Sequence, residues 1–168
     1  MEYINNHKEL KVYQNAFNVS MDIYELTKGF PKEEIYSLTD QIRRSSRSVC
    51  SNIAEAFRRR KYPKSFSSKL NESEAEAAET QNWLDFALKC GFITKDAHQK
   101  LYISYNKIIA MLINMQRARK NGHSINRLLL FLSCHSTLQH IMLFFLRSYA
   151  LILKWREVII SFSFLKIT

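Results

Sequence analysis

The chain has 168 residues, 46% of them hydrophobic, so it holds one domain, or one domain with a long tail, and is too apolar to be disordered. With only 3 Gly and 2 Pro, a many-turned β-sandwich or barrel is excluded, and a mostly helical protein with few connections remains. A net charge of +10, from 25 Lys and Arg against 15 Asp and Glu, points to a polyanionic partner or an anionic membrane surface.

The first helix is predicted over residues 8–28. Leu10, Tyr13, Phe17 and Tyr24 fall on one stripe, and Val12, Ala16, Val19, Ile23 and Leu26 on its neighbour. So wide an apolar face exceeds what one seam needs and predicts self-association. Gly29 stands where a C-cap glycine would, and Pro31 follows it. The second helix is expected to begin near Pro31, with Glu33 and Glu34 at the positive end of its dipole. It should run to Arg60, about 45 Å at a rise of about 1.5 Å per residue. Ile35, Leu38, Ile42, Ser45, Val49, Asn52 or Ile53, and Ala56 form its heptad-like seam.

Tyr62-Pro63 ends that helix, because a residue before proline disfavours the α conformation. The third helix is expected from about Ser65 to Cys90, with Phe66, Leu70, Ser73, Ala77, Thr80, Leu84 and Ala87 on its seam and Gly91 as its cap. Thr94 is the predicted N-cap of the fourth, which carries Ala97, Leu101, Ser104 or Tyr105, Ile108, Met111 or Leu112, and Met115. It ends near Lys120, before Asn121-Gly122. Short connections favour antiparallel neighbours, so the fold class is all-α, an up-down four-helix bundle over residues 1–120.

Residues 121–168 differ in composition, with five basic residues, one acid (Glu157) and an excess of Leu, Ile, Phe and Ser. Residues 128–146 carry no charge over 19 positions, which reaches the length of a membrane helix. Ser133, His135, Ser136, Thr137, Gln139 and His140 fall in the middle of that stretch and argue against a span. This C-terminal extension reads as added helices, as an oligomer-facing hairpin, or as translation of a non-coding frame.

The most unusual segment is QIRRSSRSVCSNIAEAFRRRKYPKSF, residues 41–66. From Arg43 to Lys64 it holds eight basic residues and one acid, Glu55. On a helix, Arg44, Arg47, Ser51, Glu55 and Arg58 share one side, with Ile42, Val49, Ile53 and Phe57 on the other. Arginine forks suit phosphate oxygens, and several in a row suit a phosphate backbone. Arg43, Arg44, Arg47, Arg58, Arg59, Arg60 and Lys61 are therefore the candidate nucleic-acid contacts. The competing reading pairs these cations with Glu72, Glu74, Glu76 and Glu79 of the next helix. Glu55 is expected to be structural, a counter-ion holding Arg47 or Arg59, and Asn52 to fix register across the seam. Tyr62 and Phe66, beside the basic run, are candidates for stacking on bases.

Catalysis has little support: the five histidines are scattered, no HExxH string occurs, and no cofactor or metal is implied. Cys50, Cys90 and Cys134 are odd in number and widely spaced, as expected for reduced thiols in a cytoplasmic protein. The opening MEYINNHKELKVYQ lacks the apolar core of a signal peptide.

Tyr13-Gln14, then Phe30-Pro31 with Glu33-Glu34, Tyr36 and Leu38, then Gln41, Arg43-Arg44, Ser48 and Asn52-Ile53-Ala54-Glu55, then Gly91-Phe92-Ile93, carry a resemblance. Over residues 8–118 the chain resembles the four-helix-bundle proteins encoded in intervening sequences of bacterial 23S ribosomal RNA genes, relatives of retroelement accessory variability proteins. The resemblance implies an antiparallel bundle assembling as a ring-like pentamer, with basic members that engage nucleic acid and a reverse transcriptase. It implies no reaction. Ala56 stands where that family has Gly, which should widen the packing or splay the end of the second helix. The expected function is non-enzymatic binding of RNA or DNA, structured RNA first, by a homo-oligomer. The rival is a structural adaptor that oligomerises and binds a protein partner.

Overall fold

A computed structural model describes residues 4–120. Four helices form: α1 Lys11–Leu26, α2 Leu38–Arg58, α3 Pro63–Lys89 and α4 Lys95–Lys120. The expectations for residues 121–168 lie outside the described residues. Among the described residues no helix is long and apolar enough to cross a membrane.

Each helix packs on two others, α1 on α2, α2 on α3, α3 on α4, and α4 back on α1. The cross-links run antiparallel. Asn52, Val49 and Ser45, descending α2, meet Lys69, Ser73 and Thr80, ascending α3. Glu74, Gln81 and Asp85 of α3 likewise meet Gln116, Asn106 and His98 of α4. Asn15 of α1 reaches Met111 of α4.

The seams supply the core. Leu38, Ile42, Ser45, Val49, Asn52, Ile53 and Ala56 of α2 are buried, as are all seven predicted positions of α3. In α4 the two-way choices resolve to Tyr105 and Leu112, with Leu101, Ile108 and Met115 beside them. Full burial of a Leu, Ile or Phe stabilises by about 1.5–3 kcal/mol relative to exposure. Small polar residues let α2 and α3 approach closely. The Ser73 hydroxyl donates to the Val49 carbonyl at 3.0 Å, and Thr80 Oγ1 lies 2.9 Å from Ser45 Oγ. Ala56 is buried in the same core, two residues before α2 ends.

Several boundaries differ from expectation; α1 starts at Lys11 rather than residue 8, and α2 ends at Arg58 rather than Arg60. α2 starts at Leu38 and not near Pro31, because Pro31 is extended (ψ 145°) and leads only into a 3-10 turn at Lys32–Glu34. Ser37 wins as N-cap, accepting from the Leu38 amide at 2.6 Å. Ile35 and Tyr36 are 47% and 94% exposed, so no apolar burial extends the helix backwards. The Glu34 carboxylate still serves the helix start, accepting from the Leu38 amide at 3.2 Å. The Ser37 hydroxyl and that amide hold Glu34 below the usual carboxylate range.

Gly29 is not a left-handed cap. It closes a 3-10 turn at Thr27–Gly29, after α1 has ended at Leu26. Gly91 does take that role, at φ 76°. Its amide donates to the Leu88 carbonyl and the Phe92 amide to that of Ala87, the paired bonds of a Schellman motif. α3 begins two residues before the predicted Ser65, with Pro63 in its first turn, where no amide hydrogen is needed. Thr94 caps α4 as expected, its Oγ1 accepting from the Ala97 amide.

Most of the wide face of α1 is used, and of its nine predicted positions only Phe17 is exposed. Val12, Ala16, Val19 and Ile23 are buried, whereas Phe17 and Met21 remain 49% and 43% exposed.

Candidate nucleic-acid interface

α2 separates its residues as the periodicity requires. Ile42, Val49, Ile53 and Phe57 are buried, and Arg44, Arg47, Ser51, Glu55 and Arg58 are exposed. From Arg44 to Arg58 this outer row spans about 21 Å at the helical rise. Neighbouring helix positions are about 100° apart, so Arg43 cannot share the direction of Arg44. It is half-buried, its Nε donating to Thr27 Oγ1 at 2.7 Å and its guanidinium standing 5.0 Å from the Tyr24 ring centroid. Arg43 thus braces the end of α1 against α2. Arg47 stands over the same ring at 6.0 Å but keeps its exposure.

At the exit of α2 the chain folds back through bonds from the Arg59 amide to the Glu55 carbonyl and from the Tyr62 amide to the Arg59 carbonyl. Arg59 reaches Glu55 at 3.3 Å and Ser65 at 3.4 Å. Arg60 curls onto Phe57, donating to its carbonyl at 2.9 Å with the guanidinium 4.2 Å from the ring centroid. Arg58 and Lys61 are exposed. Arg44, Arg47, Arg58 and Lys61 form no ion pair among the described residues. Of the two stacking candidates, Phe66 is 1% exposed and belongs to the core, and Tyr62 is 68% exposed.

Glu55 pairs with Arg59, not Arg47, and also with Lys69 of α3 at 3.2 Å. Lys69 additionally donates to Asn52 Oδ1 at 3.4 Å, so one α3 ammonium ties together both residues expected to be structural. The sequence reading missed Lys69. Its three-residue spacing to Glu72 signals a local pair, but its place opposite Asn52 and Glu55 depends on tertiary packing.

Three of the four α3 carboxylates are engaged elsewhere. Glu72 pairs with Lys69, which holds it below the usual carboxylate range. Glu79 accepts from the Trp83 indole at 3.1 Å and Glu74 from the Gln116 amide at 3.4 Å. Glu76 is pushed up by burial and by the Glu79 charge, with Arg44 pulling it the other way. Together with Glu55 and the Ser48, Ser51 and Asn52 side of α2, Glu72, Glu76 and Glu79 line a groove of about 410 Å³. The α3 acids therefore do not neutralise the outer cations of α2 by direct pairing.

No set of three His, Cys, Asp or Glu among the described residues is placed to hold a metal. Cys50 lies in the core, and burial pushes its thiol up to about 11. The nearby arginines do not activate it.

These features define a class: a basic antiparallel four-helix bundle with a cationic row along its second helix. Residues 8–114 match the model of the 23S rRNA-intervening sequence protein family, and the chain belongs to that family. It is also similar to a crystal structure, at 1.70 Å resolution, of a protein with unknown function from the S23 ribosomal protein family of Bacteroides thetaiotaomicron VPI-5482. The two share 27% identity and a TM-score of 0.58, over 63% of this chain and 95% of that one. No curated protein matches the chain.

Proposed function

We propose that this protein is a non-enzymatic, cytoplasmic nucleic-acid-binding bundle that acts on structured RNA as a homo-oligomer. One observation carries the reading: Arg44, Arg47, Arg58 and Lys61 are exposed along one helix and its exit without an ion-pair partner among the described residues. A row of exposed cations without direct ion pairs is free to take an anionic backbone, and phosphates match the chemistry of arginine forks. Family membership supports the reading by its link to ribosomal RNA genes. The half-exposed Phe17 and Met21 support self-association, with the pentamer as the expected assembly.

The test is a binding titration against hairpin, duplex and single-stranded RNA and DNA at several salt concentrations, with sedimentation in parallel. Affinity for RNA hairpins that falls steeply with salt is expected. A folded oligomer that binds none of these probes would end the nucleic-acid reading.

A second reading, a self-associating adaptor for a protein partner, draws on another surface. Leu38, Trp83, Phe86 and Phe92 line a groove of about 610 Å³ where α2 begins and α3 ends, and Phe86 is 50% exposed. Under that reading, the unsubstituted protein shows no salt-dependent RNA binding, and substitution of Phe86 weakens partner capture.

A further inference from the structure

The turn joining α2 to α3 concentrates charge: Arg58, Arg59, Arg60, Lys61 and Lys64 are five cations within seven residues. Among them stands one aromatic ring, Tyr62, which is 68% exposed. A lone exposed tyrosine needs no explanation. This one differs in how it is held and in what leaves it uncovered.

Its main chain is fixed at both ends. The Tyr62 amide donates to the Arg59 carbonyl at 2.8 Å, and the Tyr62 carbonyl accepts from the Phe66 amide at 2.9 Å. Pro63 follows directly and restricts the Tyr62 backbone, which is extended at φ −109° and ψ 98°. The ring therefore projects from a rigid base with only its own side-chain torsions free, so ordering it on a ligand costs little entropy.

Arginines elsewhere in this bundle cover the aromatic rings beside them. Arg43 stands over Tyr24, and Arg60 over Phe57. No described side chain stacks on Tyr62, even though five cations surround it in sequence. Arg59 and Arg60 are drawn away to Glu55 and Phe57. Arg58, Lys61 and Lys64, its neighbours in sequence, are exposed as well, and the ring face is open.

An exposed aromatic ring held in a turn rich in exposed cations fits a nucleotide whose base is not already stacked inside a duplex. We infer that the turn takes an unpaired nucleotide, its base on Tyr62 and its flanking phosphates on Arg58, Lys61 and Lys64. This deepens the nucleic-acid reading and rests on it. The outer row of α2 holds phosphates of any strand, and the turn supplies preference for a loop, bulge or single-stranded end.

The experiment uses the full chain and three RNA probes of equal length: an unstructured single strand, a hairpin with an open loop, and a blunt duplex. Tyr62→Ala and Tyr62→Phe are compared with the unsubstituted protein by anisotropy, with circular dichroism and sedimentation as controls. Tyr62→Ala is expected to weaken single-strand and hairpin binding by about 5–100-fold while the salt slope stays unchanged. Duplex affinity should not move, and Tyr62→Phe should bind like the unsubstituted protein. An equal loss on duplex and single strand, or no loss on any probe while salt-dependent binding persists, overturns this inference and leaves the broader reading standing. A change in sedimentation without a change in RNA affinity also overturns it, by making the turn a contact between copies. If the unsubstituted protein binds none of the probes, the broader reading falls and takes this one with it.

Discussion

Replacing Arg44, Arg47 and Arg58 together by glutamine removes three exposed cations and leaves Arg43, Arg59 and Arg60 in their internal contacts. Each phosphate contact displaces condensed counter-ion and adds about 0.7–0.9 to the slope of log affinity against log salt, so three contacts flatten it by about 2–3. Between about 1 M and 0.15 M salt the logarithm changes by about 0.8, which makes the triple substitution worth roughly 50–160-fold in affinity. That is about 2–3 kcal/mol. Arg43→Gln is the contrast. It removes a hydrogen bond of 2.7 Å and a ring stack at 5.0 Å. Together these cost about 1–2 kcal/mol of stability and about 4 °C or more in Tm. The assay is fluorescence anisotropy of a labelled RNA hairpin at five salt concentrations, with thermal melting of every variant. The triple variant should melt normally and bind with a flattened slope, and Arg43→Gln should melt early with a slope changed by about one unit at most. The division of roles fails if a folded triple variant keeps its affinity and slope. It fails equally if Arg43→Gln flattens the slope as much as the triple while melting normally.

Three more outcomes are expected. Iodoacetamide at pH 8 should modify the exposed Cys90 in the native protein and Cys50, pushed up to about 11 by burial, only after denaturation. Peptide mass spectrometry reads the sites, and native labelling of Cys50 at the Cys90 rate would contradict its place in the core. Burial, then the charges of Lys8 and Arg58, hold the His7 imidazole below its ordinary 6.5. The unfolded chain takes up that proton first, so the stability His7 contributes is complete above its unfolded value and is lost as pH falls through the lowered folded one. Melts from pH 7.5 to 5 should therefore show a steeper loss in the unsubstituted protein than in His7→Phe, and parallel curves would remove the effect. Finally, a chain ending at Lys120 should be helical and unfold cooperatively, since the four helices and their seams lie before that point. A product that aggregates or melts without a transition would place part of the core beyond residue 120.

Periodicity made most of the core legible. The seven α3 positions chosen by three- and four-residue steps are all buried, because a helix packed on two neighbours has few ways to hide a narrow stripe. Gly91 was legible for a different reason: a left-handed cap residue pays a steric penalty that glycine avoids. The start of α2 was not. Pro31-Lys32-Glu33-Glu34 has the composition of a first helical turn, and Ser37 outcompetes it only because the preceding apolar pair, Ile35 and Tyr36, finds nothing to pack against. The basic segment was legible as composition and as a face, but not cation by cation. Arg43 and Arg60 turn inward onto Thr27 and Phe57, Arg59 pairs with Glu55 at the surface, and that reach is a property of the assembled turn and bundle. The Glu55 partner was narrowed to two arginines by spacing, and the third participant, Lys69, comes from another helix.

The groove between α2 and α3 gives the cationic row a border. Arg44, Arg47 and Arg58 occupy the outer side of α2, and Glu55, Glu72, Glu76 and Glu79 line the trough beside it. The arginines and the carboxylates thus lie side by side on one flank, with Glu55 belonging to both the row and the trough. Under the proposed function, a polyanion would be drawn to the arginines and repelled by the trough, which would favour one orientation of encounter. A strand that settles on the arginines cannot slide sideways across the trough without facing carboxylates. Under the proposed function, the trough would bound the track of such a strand on that side. In a closed assembly of identical copies, such tracks would repeat at fixed intervals and give one long RNA a defined path from copy to copy.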